Sequence, residues 1–220
     1  MKLSHIIKPA KSVPKTWWSA DNPMSTNPKF STLMILIMGE FIFGVGDALL
    51  ISAEIGNTPW TVLAEGISII TGMTVGQATF VISLVVLFLW IPIKEIPGIG
   101  TILNAIIIAL MIDICIKFVP VPQNFISQLI LAIVSVLTVG LGGGIYLVAN
   151  LGAGPRDGLM VGLQKKTNLP IAAVRAFLEI TVVSVGWYLG GIVGVGTLLF
   201  AFGIGPAVAL GLFLVDKIFN

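Results

Sequence analysis

Residues 56–66 read GNTPWTVLAEG and residues 152–162 read GAGPRDGLMVG, and the two stretches lie 96 residues apart. Around them, residues 44–110 and 140–206 align without a gap at the same offset, which indicates a duplicated chain. The matched positions include Pro59 with Pro155, Thr101 with Thr197, and the glycine pairs Gly44/Gly140, Gly46/Gly142, Gly56/Gly152, Gly66/Gly162, Gly98/Gly194 and Gly100/Gly196. Because glycine and proline fix backbone geometry, the copies should share a shape while their polar residues differ.

The composition is that of an integral membrane protein. Of the 220 residues, 56% are hydrophobic and 10% are charged, and the mean hydropathy is +1.05. So few polar residues cannot cover a soluble surface. The single cysteine, Cys115, and the single histidine, His5, exclude a disulfide framework and a cysteine/histidine metal cluster, so we expect no metal site and no cofactor. A net charge of +2 gives no reason to expect nucleic-acid binding. The expected partners are the lipid bilayer and a small solute, and a homo-oligomer stays open.

Apolar runs predict an all-α protein. Two short segments, near 59–72 and 155–168, each begin at a matched proline, which suits the first turn of a helix. The second has only residues 158–163 uninterrupted by charge, about 9 Å of helix against a hydrocarbon core of about 30 Å. We therefore predict six transmembrane helices plus two half-helices. The long segments lie near 30–53, 74–93, 101–119, 124–149, 170–189 and 197–218.

The domain prediction is a cytoplasmic tail over residues 1–29 and a single transmembrane domain over residues 30–220. We expect Trp17 and Trp18 of the tail to lie at the level of the lipid headgroups. Repeat one covers about 30–119 and repeat two about 124–218. Three crossings plus a half-helix is an odd number of crossings, which predicts two inverted three-helix repeats.

The topology depends on whether the short segments cross. The inverted topology puts both termini in the cytoplasm of a bacterial inner membrane, with Lys94, Arg156, Lys165, Lys166, Arg175 and Lys217 inside and only Lys117 outside. If the short segments cross, the repeats are parallel, Lys94 and Arg156 lie outside, and Lys117 lies inside. The positive-inside rule favours the inverted topology by this small difference.

Ionisable groups at membrane depth are candidates for coupling or for lining a pore, because each costs several kcal/mol in hydrocarbon. These candidates are Glu40, Asp47, Glu65 and Glu179. The alternative is that they form pairs inside the bundle, such as Glu65 with Arg156 or Arg175. Pairs four residues apart are also expected for Arg175 with Glu179 and for Asp113 with Lys117. Glu54, on the same helix face as Asp47, is expected at the interface.

The half-helices predict an anion site. A helix N-terminus offers free N–H groups and a partial positive charge, and the arginine at the start of the second half-helix adds a planar donor fork. The predicted substrate-binding residues are Arg156, Asp157, Trp60, Asn57, Thr101 and Thr197. The alternative for Arg156 and Asp157 is a solvated pair in a cytoplasmic turn. The threonines follow Gly-x-Gly turns and have an alternative role as structural caps.

The residue pattern resembles the YczE/YyaS/YitT family of bacterial membrane proteins, most closely its YczE branch. The resemblance rests on the Gly-x-Gly-Asp-Ala-Leu run at 44–49, on residues 56–60 and 151–160, and on the Gly-x-Gly-Thr turns at 98–101 and 194–197. Larger YitT-like members carry a soluble C-terminal domain, which we do not expect here, because the last apolar segment runs almost to Asn220. The resemblance implies a membrane fold and no particular activity.

Two classes of function remain. The first is a transporter or channel for a small, anionic solute, with its site where the repeats meet. The second is a membrane protein that stabilises or regulates a partner through an exposed, glycine-rich helix face. We do not expect an enzyme, because the sequence offers no membrane histidine, no set of metal ligands, and no serine or cysteine beside a base.

Overall fold

A computed structural model describes residues 13–220 of the chain, and part of the predicted tail, residues 1–12, lies outside it. The described chain forms eight α-helices and no strand. The helices are α1 (Phe30–Ala53), α2 (Pro59–Thr71), α3 (Val75–Ile93), α4 (Ile99–Cys115), α5 (Phe125–Ala149), α6 (Pro155–Thr167), α7 (Ile171–Tyr188) and α8 (Val195–Phe219). The prediction of an all-α fold is confirmed. Five helices are long and apolar enough to cross a membrane, namely α1, α3, α5, α7 and α8.

Three helices are shorter. The apolar helix α4 has 17 residues. Helices α2 and α6 have 13 residues each, about 20 Å of helix, which is less than the thickness of a hydrocarbon core. Both begin at a proline in the first turn, at Pro59 and Pro155, as the sequence predicts.

The helix boundaries repeat at the offset of 96 residues. Helices α1 and α5 end at equivalent alanines, and the pairs α2/α6, α3/α7 and α4/α8 begin at equivalent positions. The turns that follow α1 and α5 also repeat, because Gly56 has a φ of 113° and Gly152 a φ of 109°. This left-handed backbone favours glycine. The duplication in the sequence is therefore a duplication of backbone shape.

The two repeats exchange contacts reciprocally. The backbone N–H of Gly196 donates to the carbonyl of Ile55 at 2.7 Å, and the N–H of Gly100 donates to the carbonyl of Leu151 at 2.8 Å. The second bond joins the positions that are equivalent to those of the first bond, with the two repeats exchanged. In the same way, α2 packs on α7 while α6 packs on α3. Reciprocal contacts of this kind are what a two-fold relation between the repeats produces.

Glycines allow α5 to approach its neighbours closely. A methyl group added to Gly142 would lie 2.5 Å from the backbone nitrogen of Phe43 on α1. On the other side of α5, a methyl group on Gly144 would lie 2.7 Å from the carbonyl carbon of Gly211 on α8. Small residues permit such approach of backbones in membrane helices, where packing replaces the hydrophobic effect. Helix α5 thus forms the centre of the bundle, between α1 and α8.

The segment before α1 packs against the bundle through Trp18, and the expectation that Trp17 and Trp18 lie at headgroup level stays a prediction. Its side chain is fully buried and its ring meets that of Phe219 edge-on at 5.7 Å. The backbone N–H of Ala20 donates to the carbonyl of Ala149 at 3.0 Å, which fixes the segment to the end of α5. Trp17, in contrast, is 62% exposed. Trp18 is buried because the ends of α5 and α8 supply an apolar site for its ring.

Two predicted pairs are replaced by other contacts, whereas the predicted pair of Arg175 with Glu179 forms at 2.8 Å. Asp113 does not pair with Lys117, because its carboxylate faces the start of α3 and accepts from the hydroxyl of Thr74 and from the N–H of Gly76. The Glu65 carboxylate does not pair with an arginine. It accepts from Asn57 Nδ2 at 2.9 Å and from the backbone N–H of Ile192 at 2.7 Å, where the loop before α8 reaches it.

The reciprocal contacts predict a large cost for Gly56→Ala. A methyl group there would lie 2.5 Å from the backbone nitrogen of Gly194. The left-handed φ costs about 1 kcal/mol for alanine, and overpacking against a backbone adds about 1–3 kcal/mol. We expect a clear fall in the unfolding midpoint, measured by thermal unfolding of the detergent-purified protein.

Gly72→Ala is the matched control. Gly72 has a φ of 75° and no heavy atom within 4 Å of its added methyl group, so only the backbone strain applies. Equal destabilisation by the two substitutions would show that contact between the repeats contributes nothing at Gly56.

Candidate functional site

A cavity of about 430 Å³ lies inside the bundle, and all eight helices contribute to its wall. This volume is within the range of about 300–1,000 Å³ that is typical of small-molecule sites. The polar lining residues are Asp47, Thr58, Thr79, Ser83, Asn104, Tyr146, Arg156, Asp157, Arg175 and Glu179. Much of the remaining wall is apolar and belongs to α8.

The first turns of the two short helices meet at this cavity. Arg156 in the first turn of α6 lies over the ring of Trp60 in the first turn of α2, with 5.5 Å from the guanidinium carbon to the ring centroid. This distance is that of a cation–π contact. The two residues occupy the same position of the two repeats, so each contacts its own equivalent. The N-termini of α2 and α6 therefore converge where the repeats are related.

The start of α6 has no side-chain cap. Gly154 precedes the helix and supplies no side chain to cap its free N–H groups. Helix α2 differs, because the hydroxyl of Thr58 accepts from the N–H of Thr61 at 3.2 Å. Uncapped N–H groups and the helix dipole both favour an anion. Of the two convergent helix ends, that of α6 is the one without a side-chain cap.

The guanidinium of Arg156 has no partner among residues 13–220 except the Trp60 ring. It donates no hydrogen bond there, and no carboxylate lies within 4 Å of its nitrogens. The neighbouring carboxylate of Asp157 instead accepts from the hydroxyl of Tyr146. The five N–H donors of the arginine thus remain available for a planar anion.

Buried polar atoms without partners mark the same wall. The carboxylate oxygens of Asp47, the hydroxyl of Thr79 and Nε1 of Trp60 form no hydrogen bond in the described chain, and all three residues line the cavity. The Asp47 side chain is 0% exposed. Buried polar groups in proteins are nearly always hydrogen-bonded. The cavity wall therefore contains buried polar atoms that the described chain leaves without partners.

The structure brings together some of the predicted site residues. Trp60, Arg156, Asp157, Asp47 and Glu179 line the cavity. Five others are absent from its wall, namely Glu40, Asn57, Glu65, Thr101 and Thr197. Glu40 is fully buried and its carboxylate has no hydrogen-bond partner within residues 13–220. A role in binding or coupling stays a prediction for all of these residues.

Four of these five residues make structural hydrogen bonds, and those of Thr101 and Glu65 connect the repeats. The hydroxyl of Thr101 donates to the carbonyl of Ala153 at 2.7 Å and accepts from the N–H of Gly98. Thr197 accepts from the N–H of Gly194 at 3.3 Å, as its repeat-equivalent does. Glu65 and Asn57 bind each other beside the loop that precedes α8. Their observed contacts are those of structural caps and braces.

Sequence reasoning missed Tyr146, Thr79, Ser83 and Asn104. A comparison of the repeats contains a signal for Tyr146, because its equivalent in repeat one is the apolar Leu50. A polar residue that replaces an apolar one in a duplicated shape is a candidate for chemistry. The other three are single polar residues in apolar helices, and only the packing shows which of them face the cavity.

Comparison with known proteins places the chain in a family. It is 41% identical over 211 residues to an uncharacterised protein of Haemophilus influenzae, with 96% of each chain covered. It is 34% identical to the uncharacterised membrane protein YczE of Bacillus subtilis, with 78% of each chain covered. YyaS of the same organism is 26% identical over 74% of this chain and 83% of its own length. No solved structure is a significant match.

These relatives confirm the resemblance to YczE and YyaS and, together with the five long apolar helices, identify a membrane protein. Residues 30–211 match the model of a family of unknown function, DUF6198. The match covers most of the chain, from the start of α1 into the second half of α8. The chain therefore belongs to the DUF6198 family.

Proposed function

We propose that the protein is a transporter or channel for a small anionic solute, which binds where the first turns of α2 and α6 meet. The observation that carries this proposal is the Arg156 guanidinium, which has no hydrogen-bonding partner in the described chain and lies at the uncapped start of α6 inside a cavity. A permanently charged group at membrane depth is costly and is typical of a pathway or a binding site. An anion at this point would gain the arginine, the free N–H groups of α6 and the indole N–H of Trp60.

The proposed topology has six crossings and two half-helices arranged as inverted repeats, and two observations support it. First, α2 and α6 are too short to cross and meet at their N-termini, as half-helices of inverted repeats do around a central site. Second, the contacts between repeats are reciprocal. In this topology α4 is tilted little, because its 17 residues supply only about 26 Å.

The contacts at one end of the bundle support cytoplasmic termini. Lys165 at the end of α6 pairs with Glu95 at 2.7 Å, and Lys166 donates to the carbonyl of Pro92, so the lysines of α6 lie beside the turn after α3. Asn220 at the C-terminus donates to the carbonyl of Lys15 at 3.2 Å. The same end thus holds both described termini and several lysines, which is the pattern of the cytoplasmic side.

Asp47 is the proposed proton carrier. Asp47 lines the same cavity as Arg156, and its buried carboxylate has no hydrogen-bond partner in residues 13–220. An anion that binds nearby would be repelled by an ionised Asp47, because charges interact strongly at low dielectric. A proton on Asp47 removes that repulsion. Anion binding and protonation of Asp47 would then favour each other, which is the basis of proton coupling.

The packing of α5 weakens the alternative role as a regulator of a partner protein. That role needs an exposed, glycine-rich helix face. The glycines of α5 are instead used within the bundle, since a methyl group on Gly140 would lie 2.4 Å from Ala207 of α8 and one on Gly142 would meet α1. The observed cavity with polar walls is the feature that a transporter requires.

The anion site predicts that Arg156→Ala weakens anion binding at least tenfold. Hydrogen bonds to charged groups contribute about 1.5–3 kcal/mol, and the variant loses the donor fork while the cavity remains. Binding can be measured as ligand-dependent thermal stabilisation in a screen of small anions, amino acids and vitamins, because a ligand of the native state raises its stability. Lys117→Ala removes a cation from the opposite end of the bundle and serves as the control. A ligand that binds both variants with unchanged affinity would remove Arg156 from the site.

The proton-carrier role predicts that Asp47→Asn abolishes the pH dependence of uptake into proteoliposomes. Uptake by the natural protein should fall as the pH rises, because Asp47 then loses its proton and repels the anion. The amide is permanently neutral, so the variant should keep its uptake at high pH. Glu54→Gln, at an exposed acid just after α1, is the control and should leave the pH profile unchanged. A variant that fails to fold, or one with the natural pH profile, would contradict the coupling role of Asp47.

A further inference from the structure

The two repeats differ at one helix pair. In repeat one, α3 packs on α4, and the carboxylate of Asp113 on α4 accepts from Thr74 and Gly76 at the start of α3. The approach is close, because a methyl group on Gly76 would lie 2.3 Å from the carbonyl oxygen of Ala109. Glycine and aspartate at these positions are therefore what allow α3 and α4 to form a closed seam.

Repeat two has none of the residues that make this seam. The equivalents of Thr74 and Gly76 are Pro170 and Ala172, and the equivalent of Asp113 is Ala209. Without the carboxylate there is no acceptor for the start of the helix, and the methyl group of Ala172 prevents the close approach. Accordingly, α7 and α8 make almost no contact along their length. The difference between the repeats is thus encoded in the sequence.

The gap between α7 and α8 leads into the cavity. Gly205 is the equivalent of the covered Ala109, and a methyl group on it would meet no heavy atom within 4 Å. Gly205 and Ala209 nevertheless line the cavity, as do Arg175 and Glu179 on the facing side of α7. Because both helices are long and apolar enough to cross the membrane, an opening between them faces the hydrocarbon of the bilayer.

The wall of α8 inside this gap is apolar and long. Phe200, Ile204, Val208 and Leu212 recur every four residues, so they share one helix face, and all of them line the cavity. Twelve residues of helix correspond to about 18 Å. The cavity therefore combines an extended apolar wall with the charged group of Arg156.

We propose that the ligand is a single-chain amphiphilic anion that enters from the bilayer through the gap between α7 and α8. This inference rests on the anion site proposed above and names the class of its ligand. The charged headgroup would bind Arg156 and the start of α6, and the apolar chain would lie along α8. A small inorganic ion would have to lose its water to cross hydrocarbon, which is very costly, whereas an amphiphile already resides there. A cavity of about 430 Å³ suits a ligand with one chain.

The test uses the full chain in nanodiscs of phosphatidylcholine. The probes are dodecanoate and dodecyl phosphate, with acetate and inorganic phosphate as short counterparts and dodecyltrimethylammonium as the cationic control. Affinity is measured by thermal stabilisation at equal membrane-phase concentrations of the long probes. Gly205→Leu fills the gap, whereas Ala201→Leu adds the same bulk one turn away on α8, at an exposed position that is absent from the cavity wall.

We expect Gly205→Leu to weaken binding of the long anions at least tenfold and of the short anions less than twofold. Arg156→Ala should weaken both groups of anions, and Ala201→Leu neither. If the long anions bind Gly205→Leu as tightly as they bind the natural protein, the proposal of an amphiphilic ligand is wrong. That result would not contradict the anion site. If dodecyltrimethylammonium binds as tightly as the long anions, the proposal of an anionic amphiphile is also wrong. Failure of every anion to bind the natural protein would overturn the anion site itself.

A further arm separates a free single-chain anion from a membrane phospholipid. Nanodiscs that contain phosphatidic acid should leave the affinity for dodecyl phosphate unchanged within twofold. Competition by phosphatidic acid would mean that a two-chain lipid occupies the site, and the single-chain assignment would then be wrong.

Discussion

The whole bundle depends on how the irregular segments after α1 and α5 find hydrogen-bond partners for their backbone groups in an apolar setting. In hydrocarbon no water is available to bond free N–H and carbonyl groups, so non-helical backbone must find protein partners or line a cavity. After α1 and α5 the chain does both. The carbonyl of Ile55 accepts from the first turn of α8, and that of Leu151 accepts from the first turn of α4, so each bond joins one repeat to the other. The residues that follow reach the cavity. This exchange fixes α2 and α6 with their first turns toward each other, and the candidate site follows from it.

The two copies share a backbone shape but differ in the side chains that face the cavity. The backbone turns, the helix starts and the threonines of the two Gly-x-Gly-Thr turns recur, whereas the groups that face the cavity do not. Trp60 stands opposite Arg156, and the position of Asp47 is held by Gly143 in the other repeat. A symmetric site would place two like charges beside each other at low dielectric, which is strongly unfavourable. One cation stacked on one aromatic ring avoids that repulsion and still offers a charge to a ligand.

Much of the fold was predictable from the sequence, because glycine, proline and long apolar runs constrain the backbone locally. The starts of α2 and α6 and the repeat offset illustrate this. The features that the sequence did not predict all depend on contacts between helices. The burial of Trp18 needs the ends of α5 and α8, and the partners of Asp113 come from another helix. The convergence of Trp60 with Arg156 was in part accessible from the repeat alignment, but the gap beside α8 depends on packing that only the assembled helices reveal.

The burial of Trp18 beneath Phe219 also orders the assembly of the protein in time. The two residues are separated by nearly the whole described chain, and their rings meet at 5.7 Å. A ribosome releases Trp18 well before Phe219, so the edge-on contact between the two rings cannot form until α8 has been made. Contacts between such distant parts of a chain form late, because the intervening loop must first be closed. This aromatic contact thus joins the segment before α1 to the end of α8 only after α8 has packed onto the other helices.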